Sequence, residues 1–169
     1  MVNPVLKQRL TTAQPWLSAL TRLGLAAMFA ISGWSKISDL ENTVRSVRAY
    51  QILPEAVVRP FAYGLPLIEL CVAVILVLGI GTRLGALLTA ALMVMFMVAV
   101  SSAWIRGLHI DCGCFGGAGG EVPDPVPGYI TVLLRDAALL LVSLALARWP
   151  RAPFSLDGLL GAHYAQDGR

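Results

Sequence analysis

Charge is what this sequence most lacks. Only 14% of its 169 residues are Asp, Glu, Lys or Arg, where a soluble domain carries roughly 25%. With 57% hydrophobic residues, there is too little polar side chain to cover a surface facing water. A soluble fold is therefore excluded. The net charge of +3 is small and its carriers are scattered, which excludes a nucleic-acid footprint. The basic residues sit mostly at the ends of apolar segments, where lipid head groups would meet them. Cysteine is also scarce. There are three, and two of them are one residue apart, so the chain does not carry the disulfide framework of a small secreted domain. No internal repeat, low-complexity tract or long linker interrupts it.

What is present is a series of long apolar runs. They fall at about residues 15–37, 60–80, 84–105 and 128–148. Each is long enough to cross a hydrocarbon core of about 30 Å at about 1.5 Å per residue. Residues 1–169 are thus expected to form a single membrane domain, an all-α integral membrane four-helix bundle in contact with the lipid bilayer. The run at 84–105 has no charge and is the clearest span. Gly85 with Thr89, and Ala86 with Ala90, give it the small-residue spacing of close helix packing. Met93, Met95 and Met97 read as packing. The first run has a rival reading as a signal peptide, with Ala30-Ile31-Ser32 as a cleavage site. Its small-residue face, Ser18, Arg22, Ala26 and Gly33, speaks instead for packing in a bundle.

Between the first two runs, residues 38–59 are mixed in character. Val44, Val47, Tyr50 and Ile52 suggest a short helix at the membrane interface, ended at Leu53-Pro54 because a residue before proline is pushed out of helical geometry. Four spans place both termini on one side, together with Lys7, Arg9, Arg83, Arg148 and Arg151. The Lys and Arg distribution favours cytoplasmic termini in the cell membrane. The loop at 106–127 then faces the oxidising, extracytoplasmic side.

That loop carries Cys112 and Cys114. Thiol–disulfide exchange needs an accessible thiolate and a nearby second sulfur, and a Cys-x-Cys pair supplies both. A disulfide across Gly113 would close a small, strained ring, and strained disulfides are the labile, oxidising ones. Such a local link would constrain little chain as a staple. Glycines 116, 117, 119 and 120 would let a partner protein approach the sulfurs. Arg106 favours a thiolate and Asp111 opposes one. The rival reading is metal, with His109, Cys112 and Cys114 as ligands and Asp111 as a fourth. The spacing is unlike the usual pair two to four residues apart. Two thiols without a role are the remaining reading.

The segment Asp111-Cys112-Gly113-Cys114-Phe115-Gly116-Gly117 after a hydrophobic third span closely resembles the MauE branch of the DoxX-like membrane proteins. So do Tyr50-Gln-Ile-Leu-Pro54, Leu65-Pro66-Leu-Ile-Glu69, Arg22-Leu-Gly and Gly33-x-x-Lys36. The resemblance covers nearly the whole chain. It implies a four-helix bundle in the cytoplasmic membrane and a redox role. Members of that branch are linked to methylamine metabolism. There they help to mature a disulfide-rich subunit of methylamine dehydrogenase beside a thioredoxin-like partner. The resemblance says nothing about Cys71.

Ionisable groups inside spans are costly and face a bundle interior or a water pocket. Glu69 and Arg135 each lie roughly 10–14 Å below the loop side and are expected to pair. Small residues accompany each: Ala62, Pro66 and Ala73 with Glu69, and Gly128, Thr131 and Ala138 with Arg135. Proline 66 leaves the Ala62 carbonyl without its helical donor and could kink the helix to open a polar pocket, toward which Lys36 could reach. Glu69, Arg135 and Lys36 would then hold a quinone head group or a proton path. The alternative is an ion pair that only fixes helix register. Arg22 is expected to snorkel to the opposite interface, and Cys71, about 16 Å deep, to be a small buried hydrophobe.

The resulting expectation is a thiol–disulfide oxidoreductase accessory that exchanges with an extracytoplasmic thioredoxin-like or disulfide-bonded protein through Cys112 and Cys114. A non-catalytic scaffold with a docking or metal-binding loop is the alternative. A small-solute transporter using Glu69 is a third.

Overall fold

The computed structural model describes residues 4–112 and 119–149, with side chains from residue 16 onward. Gly113, Cys114, Phe115 and the glycines at 116 and 117 lie outside the described residues, as do the expected polar tail after Trp149 and the side chains of Lys7 and Arg9. Five helices make up the architecture: α1 (Pro4–Ser38), α2 (Leu40–Ala49), α3 (Glu55–Leu78), α4 (Thr82–Ile105) and α5 (Val126–Arg148). Among the described residues the only β pairing is one isolated antiparallel bridge, Ile110 with Glu121.

Four of these helices are long and apolar enough to cross a membrane, over Trp16–Ser38, Glu55–Leu78, Thr82–Ile105 and Val126–Arg148. The chain is a multi-pass membrane protein. Helix α3 starts at Glu55, earlier than the apolar run, and continues through Pro60 and Pro66 without ending. Its first turns are amphipathic and carry Val58 and Ala62 onto Val44 of α2. Sequence hydropathy registers only the lipid-facing stretch, so it places that helix start late.

Helix α2 is the short helix expected after the first span, but it ends at Ala49, before Tyr50 and Ile52 and short of the expected stop at Leu53-Pro54. Asp39 caps it, its side chain accepting from the Asn42 N–H at 2.9 Å. Thr43 donates its hydroxyl to the Lys36 carbonyl at 3.0 Å and so fixes the corner between α1 and α2. On the exposed side, Arg48 binds Glu55 and Arg59 lies 3.8 Å from Glu41. Exposed pairs of this kind contribute about 0–1 kcal/mol, so the buried Val44 face does most to hold α2.

The spans pack mainly as two pairs, α1 on α3 and α4 on α5, with α3–α4 and α1–α5 contacts between them. Leu25, Ala26 and Phe29 of α1 meet Val72, Ala73 and Leu76 of α3, with Ala86, Met93 and Leu146 from the second pair. The first span is thus a wall of the core, as its small-residue face suggested: Ser18, Arg22, Ala26 and Gly33 are all buried. At Gly33 a side chain would sit 2.9 Å from Leu70 and 3.1 Å from the Pro66 carbonyl, so the α1–α3 approach requires glycine there. Gly85, Ala86, Thr89, Ala90 and Met93 form the buried face of α4.

Two single residues depart from expectation. Arg22 is buried in the bundle rather than reaching an interface. Cys71 is exposed rather than buried. Helix α3 turns Pro66, Glu69, Val72 and Ala73 inward, and Cys71 lies about 100° round the helix from Val72, on the outer face.

Candidate functional site

The α2 end of the bundle brings together the two features that the sequence kept apart, the cysteine loop and a buried charge cluster. The loop leaves α4 at Ile105 and returns to α5 at Val126. Its two arms are joined by backbone bonds: Val122 N–H donates to the His109 carbonyl at 3.0 Å, and Asp111 N–H to the Gly120 carbonyl at 2.9 Å. Tyr129, fully buried at the top of α5, braces the arm from inside. Its hydroxyl donates to the Leu108 carbonyl at 2.7 Å and accepts from the Ile110 N–H at 3.3 Å.

The loop is also tied to the α2–α3 corner. Arg106 donates to the carbonyls of Tyr50 and Gln51, and Gln51 there adopts a positive φ of 51°. The Tyr50 hydroxyl donates to the Cys112 carbonyl at 2.8 Å. Gly119 packs against α2 with φ of +61°, and a Cβ on it would come 2.7 Å from Ser46 Cα. Gly119 therefore serves internal packing, whereas the sequence assigned it to partner access. Cys112 is half-buried at the end of this clamped arm. Cys114 lies outside the described residues. Among the described residues no three His, Cys, Asp or Glu side chains come together as a metal cluster, and His109 is exposed.

Below the loop lie the intramembrane charges, with different partners from those expected. Glu69 pairs with Lys36, Nζ to Oε1 at 2.5 Å, and both side chains are buried. Lys36 also donates to Ser32 Oγ at 2.9 Å, and its ammonium stands 5.2 Å from the centre of the Phe96 ring. Arg135 instead pairs with its neighbour Asp136 at 2.8 Å. The reason is the register of α5. Its inward face is Tyr129, Asp136, Ser143 and Ala147, while Gly128, Thr131 and Ala138 are exposed. One residue of helix is a turn of about 100°, which exchanges Arg135 for Asp136 as the buried group. The spacing of Tyr129, Asp136 and Ser143, seven residues apart each time, carried that signal in the sequence.

An apolar cavity of about 430 Å³ opens between these two features. Its walls include Lys36, Tyr50, Phe61, Leu65, Phe96 and Cys112. Lys36 alone of the expected polar trio lines it; Glu69 stands behind Lys36. The pocket expected near Pro66 was polar; this one is apolar, because α2, α3 and α4 line it mostly with apolar side chains.

Comparison with known proteins shows the family. Residues 14–149 match the family described as Methylamine utilisation protein MauE. A protein of that name from Paracoccus denitrificans is 33% identical over 135 residues, 79% of this chain and 70% of that protein. Its namesake from Methylorubrum extorquens is 38% identical over 104 residues, 61% and 56% of the two chains. The one from Methylophilus methylotrophus is 34% identical over 101 residues, 59% and 53%. The chain thus spans little more than half the length of these last two. No solved structure matches it. By the match over residues 14–149, this chain belongs to the MauE family of methylamine utilisation proteins.

Proposed function

We propose that the chain is a membrane-embedded accessory of thiol–disulfide chemistry, acting through Cys112 and Cys114 on an extracytoplasmic thioredoxin-like or disulfide-bonded protein. Its relatives are named for methylamine utilisation. The role we assign here is the maturing of disulfide-containing proteins for that metabolism. The membrane is the cytoplasmic one, with termini inside and the cysteine loop outside.

One observation carries the reading. Cys112 sits at the end of a loop arm held by Tyr129, Arg106 and Tyr50, with a second cysteine two residues on. Clamping of this kind holds Cys112 at a fixed height on the bundle, where a docking partner can find it. Exchange conserves electrons in either direction. A thiolate attacks a disulfide sulfur, a mixed disulfide forms, one thiolate leaves, and the second thiolate of the pair resolves it.

Single Cys→Ser variants test the reading. With one cysteine gone the mixed disulfide is not resolved from this side, so Cys112→Ser and Cys114→Ser should change which partner species is trapped, and the double variant should trap none. Equal trapping in the native chain and the double variant defeats the proposal. Stoichiometric zinc or copper that the double variant loses points to the metal-clip scaffold instead. Membrane-impermeant alkylation of intact cells, with and without prior reduction, tests the orientation. Labelling only in opened cells would invert it.

A further inference from the structure

The cavity beside Cys112 is unusual for its contents. Its walls are almost wholly apolar, yet a buried ammonium, Lys36, forms part of them. An ammonium has three N–H donors. Ser32 and Glu69 accept two of them. The third direction has the face of Phe96 near it and the cavity beside it. A ligand here needs an apolar body and an acceptor oxygen. The aromatic rings of Phe61 and Phe96 and the thioether of Met95 suit a flat ring. Val98 and Ile52, both exposed, also border the cavity, so an apolar tail can pass out to lipid. The volume falls in the range of about 300–1,000 Å³ common to small-molecule sites.

Cys112, which also lines the cavity, adds the reactive group. We propose that this cavity takes a lipid-soluble quinone, one ring carbonyl accepting from Lys36, and that the quinone is the electron acceptor of the Cys112/Cys114 pair. The electron-transfer part rests on the thiol–disulfide reading above; the binding part stands without it. The step balances as dithiol plus quinone giving disulfide plus quinol. One S–S bond forms, two S–H bonds break, and two electrons and two protons reach the quinone oxygens. Lys36, held in place by Glu69, positions the ring and its ammonium offsets negative charge that develops on the carbonyl oxygen next to it.

The test uses the full chain in nanodiscs of defined phospholipid, with a short-chain azidoquinone as photolabel and decylubiquinone as competitor and substrate. Label should enter α3 or α4 and be displaced by decylubiquinone in both the native chain and Cys112→Ser. Ala99→Phe, which places a ring in the cavity, should weaken binding about tenfold or more. Leu134→Phe, on the exposed face of α5, should not. Lys36→Met combined with Glu69→Gln, which removes both charges together, should also weaken binding about tenfold. Native chain reduced beforehand should form one quinol for each pair of thiols lost, and Cys112→Ser should form none. Label that decylubiquinone does not displace, or that is equal in Ala99→Phe, means the cavity holds only lipid acyl chains and overturns the site. Binding without quinol formation, in protein whose thiols do exchange with a dithiol partner, overturns the acceptor role. If quinone binds but the thiols exchange with nothing, the thiol–disulfide reading fails and the quinone site remains.

Discussion

Lys36 of α1 and Glu69 of α3 form an ion pair buried inside the bundle, Nζ to Oε1 at 2.5 Å. Removing one partner of such a pair strands the other charge in a medium that solvates it poorly. That costs about 3–5 kcal/mol, whereas replacing both with apolar groups is often close to neutral. Thermal unfolding in detergent should therefore show large losses for Lys36→Met and for Glu69→Leu. The double variant should lose much less than their sum. Strictly additive losses would mean the two side chains do not pair.

Tyr50 holds the cysteine arm by a single hydroxyl, donating to the Cys112 carbonyl. Tyr50→Phe keeps the ring and removes that bond, so global stability should fall by only about 0.5–1.5 kcal/mol. The local effect should be larger: Cys112 should alkylate faster once its backbone is released. An unchanged alkylation rate would show that Tyr50 does not restrain the loop.

Gly119 combines a left-handed backbone with a contact too close for any Cβ, at 2.7 Å from Ser46 Cα. Gly119→Ala should cost about 1–3 kcal/mol or detach the returning arm from α2, read as faster hydrogen exchange at Asp111 and Val122. Gly120→Ala, with nothing within 4 Å of its Cβ position, is the control and should be tolerated.

The α1–α3 crossing can be tested the same way. A side chain at position 33 meets Leu70 and the Pro66 carbonyl. Gly33→Val should cost about 1–3 kcal/mol by overpacking. Gly24→Ala and Gly64→Ala lie in open space within helices and should be neutral or slightly stabilising, since alanine is the better helix former. Equal melting temperatures for Gly33→Val and Gly64→Ala would show that the crossing is looser than described.

The intramembrane charges mark where one-dimensional reading stopped. Depth along a helix follows from residue count, so Glu69, Lys36 and Arg135 were recognisable as intramembrane candidates. Azimuth is harder: one residue turns the helix by about 100°, and Arg135 was set against Glu69 by the small residues on its own face. The small residues around Arg135 face outward. In a membrane, small residues on a lipid-facing surface carry little penalty, so they are a weaker guide than the polar line of Tyr129, Asp136 and Ser143. Cys71 was misjudged for a related reason. Membrane burial and protein burial are different things, and depth reports only the first.

The sequence by itself determined that the chain spans a membrane, how many times, and which loop carries the sulfur pair. Those features follow from local composition: the length of apolar runs, the charges between them, and the adjacency of Cys112 and Cys114. Only the tertiary structure decided the partners. It set Lys36 rather than Arg135 against Glu69, tied Tyr50 to Cys112, used Gly119 to seat the loop on α2, and enclosed the cavity between Lys36 and Cys112. Each of these joins residues far apart in the chain. Their meeting depends on the rotation and crossing of whole helices, which packing fixes and local pattern does not.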